Sequence, residues 1–274
     1  MSETPRTQSE AETYQRLRSH LAFLKLADAA AALPQVLDEA RAETLSMVEG
    51  LEKLLAVEVT AVEERKLTAR LRFACLPAPW RLADFDYSAQ PGLDEALIRE
   101  LATLRFIDEG ANVLFIGPPG VGKTMLAVGL ARATAEAGHR AYFTTAADLA
   151  ARCRKAAIEG RWATMMRFYA GPKLLVLDEL GYLTLAADAA AALFQVINTR
   201  YTTGSSTLIA TNVGIGTWAT AFGDDPIVAA AMLDRLLHRG VVVGIDGPSY
   251  RLRSHQARAE ALRAGIEVSP HANR

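Results

Sequence analysis

The chain has 274 residues, half of them apolar, and a formal net charge of −1. That length supports one full domain and a smaller one, while the near-zero charge leaves any nucleic-acid site to a local basic patch. No apolar run reaches the ~18 to 20 uncharged residues of a membrane span, Met1-Ser-Glu-Thr-Pro5-Arg6 lacks a signal-peptide layout, and Cys75 and Cys153 have no metal-ligand spacing, so a reduced, cytoplasmic protein without a membrane partner is expected.

Residues 1–80 read as a small all-helical domain. Leu17, Leu21 and Leu24 fall at helical spacing, as do Leu51, Leu54, Leu55 and Val62. Ser46-Met-Val-Glu49 has the capping-box pattern, in which the two side chains satisfy free amides of a first turn. Leu67 and Leu71 continue the second stripe, and Pro77 and Pro79 end it. The stretch contains no reaction-site pattern and fits a partner surface.

From residue 81 to 254 the pattern is α/β. Short apolar runs at Val113 to Ile116, Ala141 to Phe143, Leu174 to Leu177, Thr207 to Ala210 and Val241 to Val243 alternate with longer amphipathic segments, as buried parallel strands and crossover helices do. Gly138 stands where the helix after the first run should stop, a common place for positive φ. Residues 255–274 carry no strand pattern and read as a flexible C-terminal tail.

Gly117-Pro118-Pro119-Gly120-Val121-Gly122-Lys123-Thr124 matches G-x-x-x-x-G-K-[ST], with an apolar run before it and an amphipathic segment after it. The glycines let backbone amides turn inwards around phosphates, and Met125 continues that cradle into the helix. Lys123 is placed to reach the β- and γ-phosphates of ATP, and the Thr124 hydroxyl to bind Mg²⁺. Leu174-Leu-Val-Leu177-Asp178-Glu179 supplies the second half: Asp178 to orient the metal's hydration shell, Glu179 to polarise the attacking water. An acidic pair after one strand is a weak signal alone, because acidic residues also cap helices. Following a P-loop and one intervening strand, it is strong. The run ending in Thr211-Asn212 offers an amide to the γ-phosphate or the water, with a turn-forming Asn before Gly214 as the competing reading.

Phe85-Asp86-Tyr87, Asn112-Val-Leu, the P-loop, Asp178-Glu-Leu-Gly-Tyr182, Arg200-Tyr201, Thr211-Asn212, Trp218, Asp234-Arg-Leu-Leu-His238 and Ser249-Tyr-Arg251 together resemble the IstB-type ATP-binding proteins. These are AAA+ helpers of insertion-sequence transposition, related to the DnaC helicase loaders. The resemblance spans about Leu17 to Arg253, and the Asp-Glu-Leu-Gly-Tyr and Asp-Arg-Leu-Leu-His segments narrow it to this family. Two positions depart from the usual pattern: Thr211 precedes Asn212 where Ser is common, and Ser249 follows Pro248 where Glu-Ser is usual.

The resemblance implies an ATPase that releases ADP and phosphate, assembles on duplex DNA as an oligomeric ring or spiral, and activates a transposase. It implies a small core without a helical lid, and an arginine that completes the neighbouring subunit's site. Arg235 matches that position, and Arg200 and Arg251 are the other candidates. The basic stretch Arg152, Arg154, Lys155, Arg161 and Arg167, opposed locally by Glu159, follows the second strand, where related ATPases place DNA-contacting helices. A solvated helix face is the alternative for each of these residues. Two rival functions share the core: a helicase loader on single-stranded DNA, and a nucleotide-gated DNA scaffold without turnover.

Overall fold

The computed structural model describes residues 5–181, 187–218, 225–252 and 263. The chain divides into two compact units, Met1–Ala69 and Arg70–Arg274.

The first unit is helical, built from α1 (Pro5–Phe23), α2 (Ala27–Ala42) and the greater part of α3 (Met47–Ala74). Its core is Leu21, Ala29, Leu33, Val36 and Leu54. Of the leucines at helical spacing, only Leu21 and Leu54 are buried, whereas Leu17, Leu24, Leu51 and Leu55 are exposed. Most of the buried stripe comes from the Ala-rich α2. That helix has no side-chain cap of its own, since Leu26 precedes it. Instead the buried Glu58 carboxylate accepts from the amides of Asp28 and Ala29 at 2.8 and 3.0 Å, satisfying two orphan donors from a different helix. Arg65 pairs with Glu58 at 3.0 Å and also with Asp28. The capping box is present: the Ser46 amide donates to Glu49 Oε2 at 2.7 Å, and the Glu49 amide donates to Ser46 Oγ at 3.3 Å.

The division at residue 69 lies inside α3, earlier than the boundary expected at residue 80. The last turn of α3 joins the second unit because its side chains pack there. Arg70 Nε donates to the Ala135 carbonyl at 2.8 Å, and the Phe73 ring lies 5.6 Å from that of Tyr142 and 6.0 Å from that of Phe168.

In the second unit β1 (Asn112–Ile116), β2 (Ala141–Thr145), β3 (Leu174–Leu180), β4 (Ser206–Thr211) and β5 (Gly240–Gly244) form one parallel sheet in the order β2-β3-β4-β1-β5. All five strands fall on the apolar runs of the sequence. Alternate residues point to opposite faces, and both faces are covered. On one face Val113, Phe115, Val176 and Leu208 pack with α4 (Glu95–Ala102), the short α5 (Arg105–Asp108) and α6 (Lys123–Glu136). On the other, Leu114, Leu175, Leu177 and Ile209 meet α7 (Ala146–Ile158), α8 (Trp162–Ala170), α9 (Ala187–Thr203) and α10 (Pro226–Leu237). Gly138 ends α6 at φ +95°, as expected.

Two buried polar side chains tie the amino-terminal edge of the sheet. Asn112 Oδ1 accepts from the Thr207 amide at 2.9 Å, while its Nδ2 donates to the carbonyls of Arg235 and Leu236 at 3.3 and 3.2 Å. Arg200 is wholly buried and donates to the carbonyls of Tyr169, Pro172, Lys173 and Ser206 and to the Thr207 hydroxyl. Burial lowers its pKa, and five oxygen acceptors favour the charged form. Among the described residues no helical lid follows β5, and no helix is long and apolar enough to cross a membrane. Apart from residue 263, the expected tail at 255–274 lies outside the described residues, as does Tyr182.

Candidate functional site

The site sits at the carboxyl ends of the strands, where open parallel sheets hold ligands. After β1 the chain turns through Gly120 at φ +86° and Gly122 at φ +96°, then enters α6 at Lys123. Successive amides in such a turn face one concavity, and the first amides of α6 have no intrahelical acceptor. This is an anion cradle, lined by backbone from Gly117 to Met125 and anchored by the fully buried Val121. Lys123 Nζ donates to the carbonyls of Gly117 and Pro118, both at 2.8 Å, so the ammonium closes the loop upon itself. Burial lowers the Lys123 pKa, the Asp178 carboxylate opposes that shift, and the positive charge of Arg251 adds to it.

The acidic end of β3 lies beside the P-loop. The Thr124 hydroxyl donates to Asp178 Oδ2 at 2.7 Å, across the end of β4. Asp178 is buried, and its Oδ1 accepts from the Glu179 amide at 2.8 Å. The β3–β4 register breaks between Leu177 and Leu180, and Glu179 adopts φ +59°. This bulge turns the Asp178 carboxylate inwards to Thr124 and leaves Glu179 exposed. The Thr211 hydroxyl secures the bulge by donating to the Leu180 carbonyl at 2.6 Å, and the exposed Asn212 follows at the same edge. The Gly117 amide donates to the Thr211 carbonyl at 3.2 Å, which ties the start of the P-loop to the end of β4.

A hard divalent cation such as Mg²⁺ takes oxygen ligands, and usually keeps several from water and substrate phosphates. The paired oxygens of Thr124 and Asp178 beside the anion cradle fit that requirement. Among the described residues no group of three or more His, Cys, Asp or Glu could hold a metal ion. A metal held mainly by phosphates needs none.

Arg235 is not brought to this edge. Its carbonyl accepts from Asn112 at the amino end of β1, whereas the P-loop follows the carboxyl end. At about 3.3 Å per residue, that strand separates them by about 16 Å. Arg200 is committed to the core, and the charge of Arg251 is felt at Lys123 of its own chain. Of the three arginines proposed for a neighbour's site, Arg235 is the one that stands away from its own P-loop without being sealed inside.

The basic stretch divides between α7 and α8. Arg152 Nη1 donates to the Tyr142 hydroxyl at 2.7 Å, and Arg154 forms a two-pronged pair with Asp188 at 2.8 and 3.0 Å. Lys155 lies 3.9 Å from Glu159, which also pairs with Arg161. Arg167 Nη2 donates to Thr164 Oγ1 at 3.4 Å. Arg154, Lys155 and Arg161 remain more than half exposed. The opposing charge is thus larger than the local sequence suggests, because Asp188 reaches Arg154 from α9.

Sequence reasoning assigned no role to the walls of the P-loop. A Cβ on Gly122 would lie 2.5 Å from the Phe85 ring, one on Gly120 would lie 2.1 Å from Ser249 Oγ, and one on Gly117 would lie 2.1 Å from the Ile245 carbonyl. The Tyr250 amide donates to the Gly120 carbonyl at 2.9 Å, and Gln90 Nε2 donates to the Pro248 carbonyl at 2.8 Å. The segments around Phe85–Gln90 and Ile245–Tyr250 therefore clamp the loop. The glycines were the available signal, since each marks a close approach as well as a turn.

Residues 19–259 match the family model described as IstB-like ATP binding protein. The chain is 39% identical over 221 residues to the insertion sequence IS5376 ATP-binding protein of Geobacillus stearothermophilus, covering 81% of this chain and 87% of that one. It is 37% identical over 246 residues to the insertion sequence IS21 ATP-binding protein of Pseudomonas aeruginosa, covering 90% of each. Among solved structures, AMPPCP-bound DnaA from Aquifex aeolicus superposes with a TM-score of 0.53 at 19% identity, over 72% of this chain and 59% of that one. That last likeness is one of fold alone. The chain belongs to the IstB-like family of ATP-binding proteins.

Proposed function

We propose that this protein hydrolyses ATP with Mg²⁺ in the cytoplasm, and uses the cycle to assemble on duplex DNA and activate the transposase of an insertion sequence. The observation that carries the hydrolytic reading is the 2.7 Å bond between Thr124 and Asp178, which pairs the P-loop hydroxyl with the acidic strand end beside Lys123. Bound Mg²⁺ would be held by these two oxygens and would neutralise charge on the phosphates. Lys123 leaves the Gly117 and Pro118 carbonyls for the phosphate oxygens. Glu179, next to Asp178 but outside its hydrogen bond to Thr124, orients the attacking water and accepts its proton. Asn212 offers its amide to the same water or to the γ-phosphate. Arg235 acts on the neighbouring subunit's nucleotide, which its distance from its own P-loop supports. The names of the relatives, as insertion-sequence ATP-binding proteins, support the transposition setting, and the exposed cations of α7 and α8 support DNA contact.

The test is nucleotide binding and phosphate release on purified variants. Lys123→Ala loses ATP binding. Glu179→Gln binds ATP with unchanged affinity but turns over at least ~100-fold more slowly, the scale of a positioned base. Undiminished turnover in Glu179→Gln overturns the hydrolytic assignment.

A further inference from the structure

The guanidinium of Arg235 is held without a carboxylate. Arg65, Arg154 and Arg161 pair with carboxylates. Arg235 is held by neutral groups: its Nε donates to Asn198 Oδ1 at 2.7 Å, its Nη1 donates to the Ala231 carbonyl at 2.7 Å, and its guanidinium carbon lies 4.9 Å from the centroid of the Phe194 ring. Among the described residues Nη2 meets no acceptor.

The support is built on one face of α9. Phe194, Asn198 and Tyr201 follow at i, i+4 and i+7, a spacing that stacks side chains along one stripe. The Tyr201 ring meets the ring of His238, the C-cap of α10, edge-on at 5.8 Å. The end of α10 is fixed in turn by Asn112, through the carbonyls of Arg235 and Leu236. Backbone and side chain are both pinned, at the sheet edge opposite the P-loop.

The choice of acceptor decides what this cradle can do. A carboxylate at position 198 would fix the guanidinium equally well but cancel its charge, and drawing the arginine towards a phosphate would then leave a bare anion. An amide oxygen fixes direction and leaves the positive charge intact. Fixing a long side chain beforehand also removes entropy that would otherwise be lost when it engages a phosphate.

We infer that Asn198, with Phe194 beneath the guanidinium, is a positioning residue that presents Arg235 to the nucleotide of an adjoining copy. The inference rests on the proposal that Arg235 acts in trans. Asn198 touches no phosphate itself.

The experiment measures DNA-stimulated phosphate release by full-length variants, singly and in mixtures. Asn198→Ala is expected to keep its KM for ATP and its melting temperature while kcat falls about 10- to 100-fold, the cost of a misplaced catalytic group. Asn198→Asp preserves shape and acceptor, and it is also expected to lose turnover because the charge is cancelled. Mixing Asn198→Ala with Lys123→Ala restores part of the rate, since the second variant lends an intact Arg235 to the first one's intact P-loop. Mixing Asn198→Ala with Arg235→Ala restores nothing, since both lack a working donor. Normal turnover in Asn198→Ala or in Asn198→Asp overturns the inference, as does equal recovery with both mixing partners. If Arg235→Ala alone hydrolyses normally, the trans reading itself has failed. If Arg235→Ala is inactive and Asn198→Ala active, only the positioning role has failed.

Discussion

Glu179 pairs a chemical demand with a conformational one, because the left-handed backbone at φ +59° that frees its carboxylate is costly for a residue with a Cβ. The cost is of the order of 1 to 2 kcal/mol, and it is sustained by the Thr211 bond to Leu180 and the Asp178 bond to the Glu179 amide. Replacing the side chain separates the two demands. Glu179→Gly and Glu179→Ala should both lose turnover, but the glycine variant should be more stable by about 1 kcal/mol, read by denaturant unfolding. Equal stabilities would show that position 179 stores no strain. At this scale the sequence was readable where spacing alone defines a role: Lys123, Thr124 and Asp178 meet as a P-loop and an acidic strand end require. It was unreadable where the partner is a backbone carbonyl. Arg200 looked like a candidate for a neighbouring site because no residue pattern announces that its acceptors are main-chain oxygens of Tyr169, Pro172, Lys173 and Ser206.

β1 to β4 were legible because strands buried on both faces are continuous apolar runs, and the half-exposed edge strand β5 showed itself by its three valines. The helical unit was less so. α2 is rich in alanine, and its stabilising cap comes from Glu58 on α3, some thirty residues away in the chain. The division of the units was hidden as well, because α3 is continuous across it and only the packing of Arg70 and Phe73 changes sides. Long-range pairing also reshapes the basic elements. Arg154 must leave Asp188 to take a phosphate, so Asp188→Ala should tighten DNA binding, while Arg154→Ala with Lys155→Ala should weaken it on every sequence alike. If those two side chains are phosphate contacts, the double variant should also flatten the slope of log affinity against log salt by about 2, near 0.9 per contact. Unchanged affinity and slope would place the DNA surface away from α7.

For the whole molecule, the proposed function favours duplex over single-stranded DNA. A transposition helper holds duplex DNA in a deformed state, and bending a 20–30 base-pair site costs on the order of 1 to 6 kcal/mol, offset by contacts along the assembly. With ATP present, the protein should prefer a duplex of about 50 base pairs to a single strand of equal length, and its phosphate release should rise with a cognate transposase. Preference for the single strand without any transposase response would make it a helicase loader. A second consequence follows from where Arg235 and the P-loop stand, at opposite ends of β1. A contact that joins one to the other is head-to-tail, so it gives any array a direction and two unlike ends. One terminal subunit has a cradle that no neighbour completes, and the other has an arginine with nothing to act on. An open array of n copies then carries n − 1 working sites, and turnover per bound subunit should climb with duplex length before levelling off. A closed ring has no ends, and for it the same measurement would be flat.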